Sequence, residues 1–579
     1  MELSVGQLTG RAPVQALYNI CPVFKGVGVS QILLSLLVMA YMTRYLAWLM
    51  LYVFHLFWTV IDERPGLPWL HCKNFPELQN KPCREAGAIA NFSHQAHTKL
   101  SAVHDESSLS QFMRTLENPK SSIAEFGEFQ YYILAAQGLV WIVVFAAICF
   151  GVRWLGKVMY STFLIPLSLL IVCFTRAFFL QGAWEMFERF YAVTNWEVLI
   201  DSNAHMVWKA AVEQAILATG IGFGAFITIG SYNKRSANLV RDSIAVLFGH
   251  ACITALQVAT IICFVGFISL RTGLDPKELI SQGENQMWHI LTYISYMPNL
   301  KVWTGIILFM SIFVLLNIFY LLSLNILASL EDALGEKWSR CFPRFCLALL
   351  VAIFGFGSSL YFATQAGKYA YELTSGYLKY ITLWTILAFE LLAISWFYCA
   401  HSLGKDLKSM LHNTCCWCLG HFLLYFTYLL PVIPIAIAVL NVMGYNYEEY
   451  REEIRNWPYS EYVGIAIAVV PLLPIPLFAF FTLCRNCSHG PGVTKAQRLR
   501  YSFRSPMRYE IIKNSGSGAS STRGLHRDHT ASPRYISSAP GYVLLPQAPL
   551  AEPEPDNDMY NTSLIIDRAQ RQQSQEKEA

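Results

Sequence analysis

Charge is what this chain has little of. Asp, Glu, Lys and Arg make up 14% of its 579 residues, against about 25% in ordinary soluble domains. Hydrophobic residues reach 54%, and a soluble globule cannot hide that excess, so most of it must face lipid. Net charge is only +4, which excludes a global basic field of the kind that draws nucleic acid. The 15 cysteines are scattered, without repeated zinc spacing and without the density of a disulfide-rich secreted module. A cleavable leader is not expected, because Met1 opens directly into Glu2-Leu3-Ser4-Val5-Gly6-Gln7; a membrane protein can use its own spans as signals. No nucleophile–base pair and no phosphate-binding loop stands out, so nothing in the sequence supports an enzyme.

What is present is a series of long apolar runs. Ten segments are apolar over the length a span requires, near 27–59, 130–150, 159–181, 206–232, 243–270, 301–329, 345–363, 378–400, 416–441 and 461–484. A span needs roughly 20 such residues, and in lipid each backbone polar group must be satisfied within the segment, which makes these helices. The fold class expected is an all-α membrane protein. Two regions differ: 60–129 reads as a long polar loop within a membrane domain over 1–484. Residues 485–579, rich in Ser, Pro, Gln, Arg and Glu, read as a disordered tail.

Loop charges set the orientation. Arg153 and Lys157, Lys234 with Arg235 and Arg241, Lys337 with Arg340 and Arg344, and Lys405 with Lys408 fall on one side. Arg485, Lys495, Arg498 and Arg500 join them at the head of the tail, so that side is expected to be cytoplasmic. Arg271, Lys277, Arg451 and Arg455 lie opposite and moderate the asymmetry. The loop 60–129 then faces outward at the plasma membrane. There Cys72 and Cys83 are expected to form a disulfide, with two free thiols as the alternative. Asn91-Phe92-Ser93 is a glycosylation sequon. The sequons at Asn486 and Asn561 fall in the cytoplasmic tail and should stay unmodified.

The most informative segment is Val207 to Asn233, where Gly220, Gly222 and Gly224 occupy alternate positions in mid-span. Each glycine costs about 1 kcal/mol relative to alanine inside a helix, and three in five residues predict an unwound stretch. Irregular backbone at membrane depth survives only where it is buried in protein or lines a cavity, so the break points to a binding site near the midplane. Small residues for close helix packing are the alternative, although their usual spacing is four rather than two.

These and other motifs carry a resemblance. MELSVGQLTG, CPVFKGVGVS, Leu67-Pro68-Trp69 followed by Cys72, and Gln181-Gly182-Ala183-Trp184 resemble the neurotransmitter–sodium symporter family, as do VW…Q…GIGFG…SYN and the NLVRDS of Asn238–Ser243. The resemblance runs in order from Met1 to about residue 484. It implies an inverted-repeat transporter fold of twelve helices, with substrate between the broken first and sixth. The ten segments would be helices three to twelve and Met1–Gln7 the end of helix two, a partial span, with helix one absent.

Carried over position by position, the resemblance places Gly220, Gly222 and Phe223 at the substrate, with Leu217 where an aromatic is usual and Met42, beside Tyr41, where a substrate-contacting tyrosine is usual. Gln214 and Thr254 fall at chloride-site positions. Sodium-site positions hold Ala218 in place of Ser or Thr, His250 in place of asparagine, and Val314, Asn317 and Ile318 in place of small, hydroxyl or carboxylate ligands. Tyr232 and Asp332 match the cytoplasmic gate, whose arginine would precede Met1, while Thr374 replaces the outer-gate acid. Sodium prefers oxygen ligands, so these substitutions weigh against sodium coupling even though sodium and chloride are the family's coupling ions.

Glu390 and Arg44 are ionisable at membrane depth and therefore functional candidates; whether they pair is left open by the sequence. Glu390 matches a glutamate of the family's tenth helix, for which a structural hydrogen bond is the first reading and a proton relay the second. Cys415, Cys416, Cys418, Cys484 and Cys487 lie at span ends, open to palmitoylation or inert. Two functions are expected to compete: a transporter of a small amino acid or amine, and a transport-incompetent relative acting as a partner or regulatory membrane protein, in a homo- or hetero-oligomer. The partners implied are the lipid bilayer and that small substrate.

Overall fold

The computed structural model describes residues 1–62, 66–74, 83–84, 106–193, 196–201, 204–234, 237–273, 275–276, 279, 291, 294–339, 342–410, 422, 424–489 and 494–506. In chain order its main helices are α1 (Glu2–Thr9), α2 (Pro13–Ile20), α3 (Lys25–Ile61), α4 (Ser108–Glu117), α5 (Tyr131–Ile148), α6 (Val152–Phe178), α7 (Ala183–Val193), α8 (Ala204–Thr219) and α9 (Ala225–Tyr232). There follow α10 (Leu239–Thr272), α11 (Leu300–Ser339), α12 (Arg344–Ser359), α13 (Gly367–Phe397), α14 (Ala400–Met410), α15 (Val432–Met443), α16 (Ser460–His489) and α17 (Lys495–Tyr501). The described strands are a two-residue parallel pair, Cys83–Arg84 with Glu106–Ser107.

Among the described residues, eight helices are long and apolar enough to cross a membrane: α3, α5, α6, α10, α11, α12, α13 and α16. The fourth expected segment, 206–232, is two helices, α8 and α9, separated at the glycines. The ninth, 416–441, falls partly outside the described residues, and what is described ends in the 12-residue α15.

The boundary expected at residue 484 moves. Helix α16 continues to His489, and α17 follows, opened by a reciprocal cap between Thr494 and Gln497. Polar composition did not prevent order here because the segment finds partners: Asn486 Nδ2 donates to Ser502 Oγ at 2.9 Å, and the Val23 N–H donates to the Ser502 carbonyl at 3.3 Å. Asn486 is thereby engaged within the protein. Residues 507–579 of the expected tail lie outside the described residues.

The long α3 is the central post, packing against α2, α5, α11, α12 and α16. Around it α6 lies on α11 and α10, α7 lies on α10, and α13 packs on α15. Faces turned away from the packing carry large apolar side chains such as Phe248, Phe354 and Phe480, 65–71% exposed, as a lipid-facing surface requires. Helix α13 contains two π-helical turns, Leu378–Thr382 and Ala393–Phe397, on either side of an α-helical stretch, Leu383–Leu392, that carries Glu390.

Candidate functional site

The break lies between α8 and α9. Gly220, Gly222 and Gly224 have φ of 72°, 94° and 74°, a region that side-chain-bearing residues rarely enter. A Cβ on Gly224 would also lie 2.6 Å from Gln31 Oε1 and 2.7 Å from Pro13 Cγ. Conformation and space therefore both demand glycine there.

The backbone groups freed by the break are taken up by three neighbouring helices. The Gly222 N–H donates to Glu2 Oε1 of α1 at 2.7 Å. The Phe223 carbonyl accepts from Asn325 Nδ2 of α11 at 2.7 Å and from Ser35 Oγ of α3 at 3.5 Å. Asn325 is itself oriented by Thr228 Oγ1 of α9, which donates to its Oδ1 at 2.6 Å. Helix α1 can approach because the crossing is built on glycine: a Cβ on Gly6 would collide with the Ile227 carbonyl, and one on Gly230 with the Leu3 carbonyl.

Glu390 is fully buried and accepts from Gln31 Nε2 at 2.8 Å, the side chain that also lies against Gly224. Two carboxyl oxygens, Glu2 Oε2 and Glu390 Oε1, are buried without a hydrogen-bond partner among the described residues. Leu217, Phe223 and Met42 are half-buried against the main core. Tyr41 meets Tyr371 of α13 edge-on at 5.5 Å, and Tyr45 stacks on the same ring at 6.5 Å.

Arg44 does not pair with Glu390. Its guanidinium donates to Glu117 Oε1 of the loop helix α4 at 2.8 Å and to the Phe362 carbonyl. Lys368 Nζ, near the start of α13, lies 3.7 Å from Glu117 Oε2. The three charges tie α3, α4 and α13 together, and Arg44 and Glu117 are only 3% and 4% exposed. Thr374, the residue in place of the outer-gate acid, is buried on the same helix.

The sodium- and chloride-site positions are arranged differently. Asn317 is turned to α6, accepting from Thr162 Oγ1 at 2.7 Å and donating to the Thr162 carbonyl at 3.0 Å. Val314 and Ile318 are apolar and exposed at 44% and 40%. Ala218, Gln214 and Thr254 are exposed, His250 is half-buried, and α8 has no buried residue. At the opposite end Asp332 has an arginine after all: Arg11 Nη1 lies 3.3 Å from Oδ1, and the Ala12 N–H donates to Oδ2 at 2.6 Å. Tyr232 closes α9 half-buried. The side chains of Cys72 and Cys83 and all of Asn91 lie outside the described residues.

The model of the sodium:neurotransmitter symporter family matches residues 1–486. The chain belongs to this family. It is similar to the sodium- and chloride-dependent GABA transporter ine of Drosophila melanogaster, 27% identical over 88% of this chain. It spans about half, 52%, of that protein's length. Similar too are the sodium- and chloride-dependent glycine transporter 1 of Xenopus laevis (27% identical over 86% of this chain and 78% of that protein) and the sodium- and chloride-dependent taurine transporter of Rattus norvegicus (26%, over 85% and 76%). Family and apolar helices together make this an all-α, multi-pass membrane protein built on a transporter fold. Glu2, Ser35, Gln31 and Asn325, which hold the symporter break, were not singled out by the sequence. For Gln31, Ser35 and Asn325 a signal was present, since each is polar within a long, mainly apolar helix; Glu2 sits in the mixed sequence of α1 and had none.

Proposed function

We propose that this chain is a membrane transport protein for a small amino acid or amine, working by alternating access around the break at 220–224. The observation that carries this reading is the pair of unpartnered buried oxygens, Glu2 Oε2 and Glu390 Oε1, beside backbone held open by Glu2, Ser35 and Asn325. Both carboxyls already face the buried amino group of Met1, which supports an ammonium as the group that these acceptors receive, and the half-buried Leu217, Phe223 and Met42 suit a short apolar body. Relatives named for GABA, glycine and taurine support a small amino-bearing substrate.

Sodium coupling is read as absent from the chain. A hard cation needs oxygen ligands; Val314 and Ile318 have no side-chain oxygen, and the oxygen of Asn317 is engaged by Thr162. Those substitutions also favour the second reading, a transport-silent relative that serves as a partner or regulatory membrane protein. The test is uptake of a panel of amino acids and amines by cells expressing the chain, in sodium and in a non-coupling cation, at matched surface expression. Uptake equal in both cations is the expected result. Accumulation that requires sodium would refute the loss of coupling, and silence in both would select the partner reading. We further assign the 60–129 loop to the cell exterior at the plasma membrane, with a Cys72–Cys83 disulfide and a glycan on Asn91, and the tail to the cytoplasm.

A further inference from the structure

The head of the tail is fastened to α2, and α2 touches both parts of the machinery already described. At one end of this short helix Pro13 abuts Gly224 of the break, and the Ala12 N–H and Arg11 hold Asp332. At the other end Ser505 Oγ donates to the Asn19 carbonyl at 2.6 Å. One turn of chain earlier, the Ser502 carbonyl accepts from the Val23 N–H, and Ser502 Oγ accepts from Asn486. Phe503 stacks on Phe397 with ring centroids 5.9 Å apart, and Phe397 in turn meets Phe24 at 4.8 Å. Residues 502–505 thus form a strap across the end of α2, and Ser505 and Ser502 are buried within it.

Ser505 is followed by Pro506 and preceded by Arg504, with Arg498 and Arg500 upstream. A proline at the next position biases Ser505 toward extended backbone, the form in which a Ser-Pro acceptor enters a proline-directed protein kinase. We propose that Ser505 is a phosphorylation site and that the phosphate releases the strap from α2. The reaction transfers the γ-phosphoryl group of ATP to Ser505 Oγ, leaving ADP and releasing the hydroxyl proton. The modified oxygen has no proton to give, so the bond to Asn19 is lost. The added oxygens are acceptors carrying up to two negative charges, and they would face the Asn19 carbonyl, another acceptor, in a buried place. Access does not require unfolding of the helical body. A strap of a few residues held by a handful of hydrogen bonds and one ring stack opens locally much more readily than packed helices. Releasing it frees the end of α2 opposite the break and the Asp332–Arg11 pair, which makes the modification a control on the intracellular side of the transport path.

The inference rests on the cytoplasmic placement of the tail, but its test on purified protein does not depend on orientation. The full chain in lipid nanodiscs is treated with a proline-directed kinase and ATP. Phosphate is mapped by mass spectrometry, and hydrogen exchange is read at the Val23 amide. Ser532-Pro533 is a second acceptor of the same type in the same chain and serves as the internal control. Phosphate at Ser505 is expected, with exchange at Val23 accelerated at least about tenfold, the signature of a local opening. Ser505→Ala should accept no phosphate there and Ser505→Thr should restore both effects. Phosphate on Ser532 with none on Ser505 would overturn the site, and phosphate on Ser505 with unchanged exchange at Val23 would overturn the release. Digestion of the tail by protease added to intact cells would refute the orientation alone.

Discussion

At the scale of single residues, the break depends on a few hydrogen bonds of unequal weight. Asn325 Nδ2 is the short donor to the Phe223 carbonyl, and Ser35 Oγ is a long one. Removing a partner from a buried polar group costs about 1–3 kcal/mol, so Asn325→Ala should lower the thermal midpoint of the purified protein clearly, and Ser35→Ala much less. Asn325→Asp keeps the acceptor for Thr228 and loses the donor, so it should be no better than alanine. An Asn325→Asp protein as stable as the unsubstituted one would show that this carbonyl is satisfied by other means. The sequence announced the glycines because each defies helix propensity in a recognisable rhythm. It could not announce Asn325 as their partner, since a polar residue in an apolar helix states a need for a bond and not the address of the donor.

At the scale of elements, the same limit explains Arg44. A buried arginine at membrane depth had to be paired, but its carboxylate lies 73 residues on, in α4, where no periodicity points back to α3. Breaking such a pair from one side typically costs about 3–5 kcal/mol, whereas replacing both partners by apolar residues is far milder. Glu117→Leu should destabilise most, because it leaves Arg44 and Lys368 facing each other; Arg44→Met should cost less, because Lys368 remains beside Glu117. The double variant should cost clearly less than the sum of the two, measured as thermal midpoints at one detergent concentration. Additive losses would mean that the ion pair carries no coupling. The spans themselves were legible as helices, because lipid leaves a segment no other way to satisfy its backbone, but not all of their ends were: α6 starts at Val152 against the expected 159, α11 runs to Ser339 against 329, and α13 starts at Gly367 against 378. The exceptions are informative: 485–489 and 495–506 are polar yet ordered, held by contacts to α2 and α16 that composition does not encode.

At the scale of the whole molecule, the charge asymmetry of the loops sets the expected orientation, and the test is simple. Protease added to sealed cells should spare an epitope placed after residue 560, and a glycosidase should shift the mobility of the chain unless Asn91 is replaced by Gln. Loss of the epitope from outside would reverse the assignment of sides. The family was legible from the ordered motifs between Met1 and residue 484, and the matched range 1–486 agrees with it. The ligand positions were legible as substitutions, but their surroundings were not: that Asn317 faces α6 follows from packing on Thr162, which lies 155 residues away.

The two π-helical turns of α13 have a mechanical meaning. Each holds one residue more than an α-helical turn would, so each is a stored surplus of chain. A stretch bracketed by two such surpluses can be re-indexed instead of bent. Letting one turn tighten to α geometry while its neighbour absorbs the extra residue would rotate Leu383–Leu392 by about 100°, one residue's worth of helix. Glu390 rides on that stretch, so a change in winding number would swing its carboxyl away from Gln31 while the helix keeps its length and its ends stay where they are.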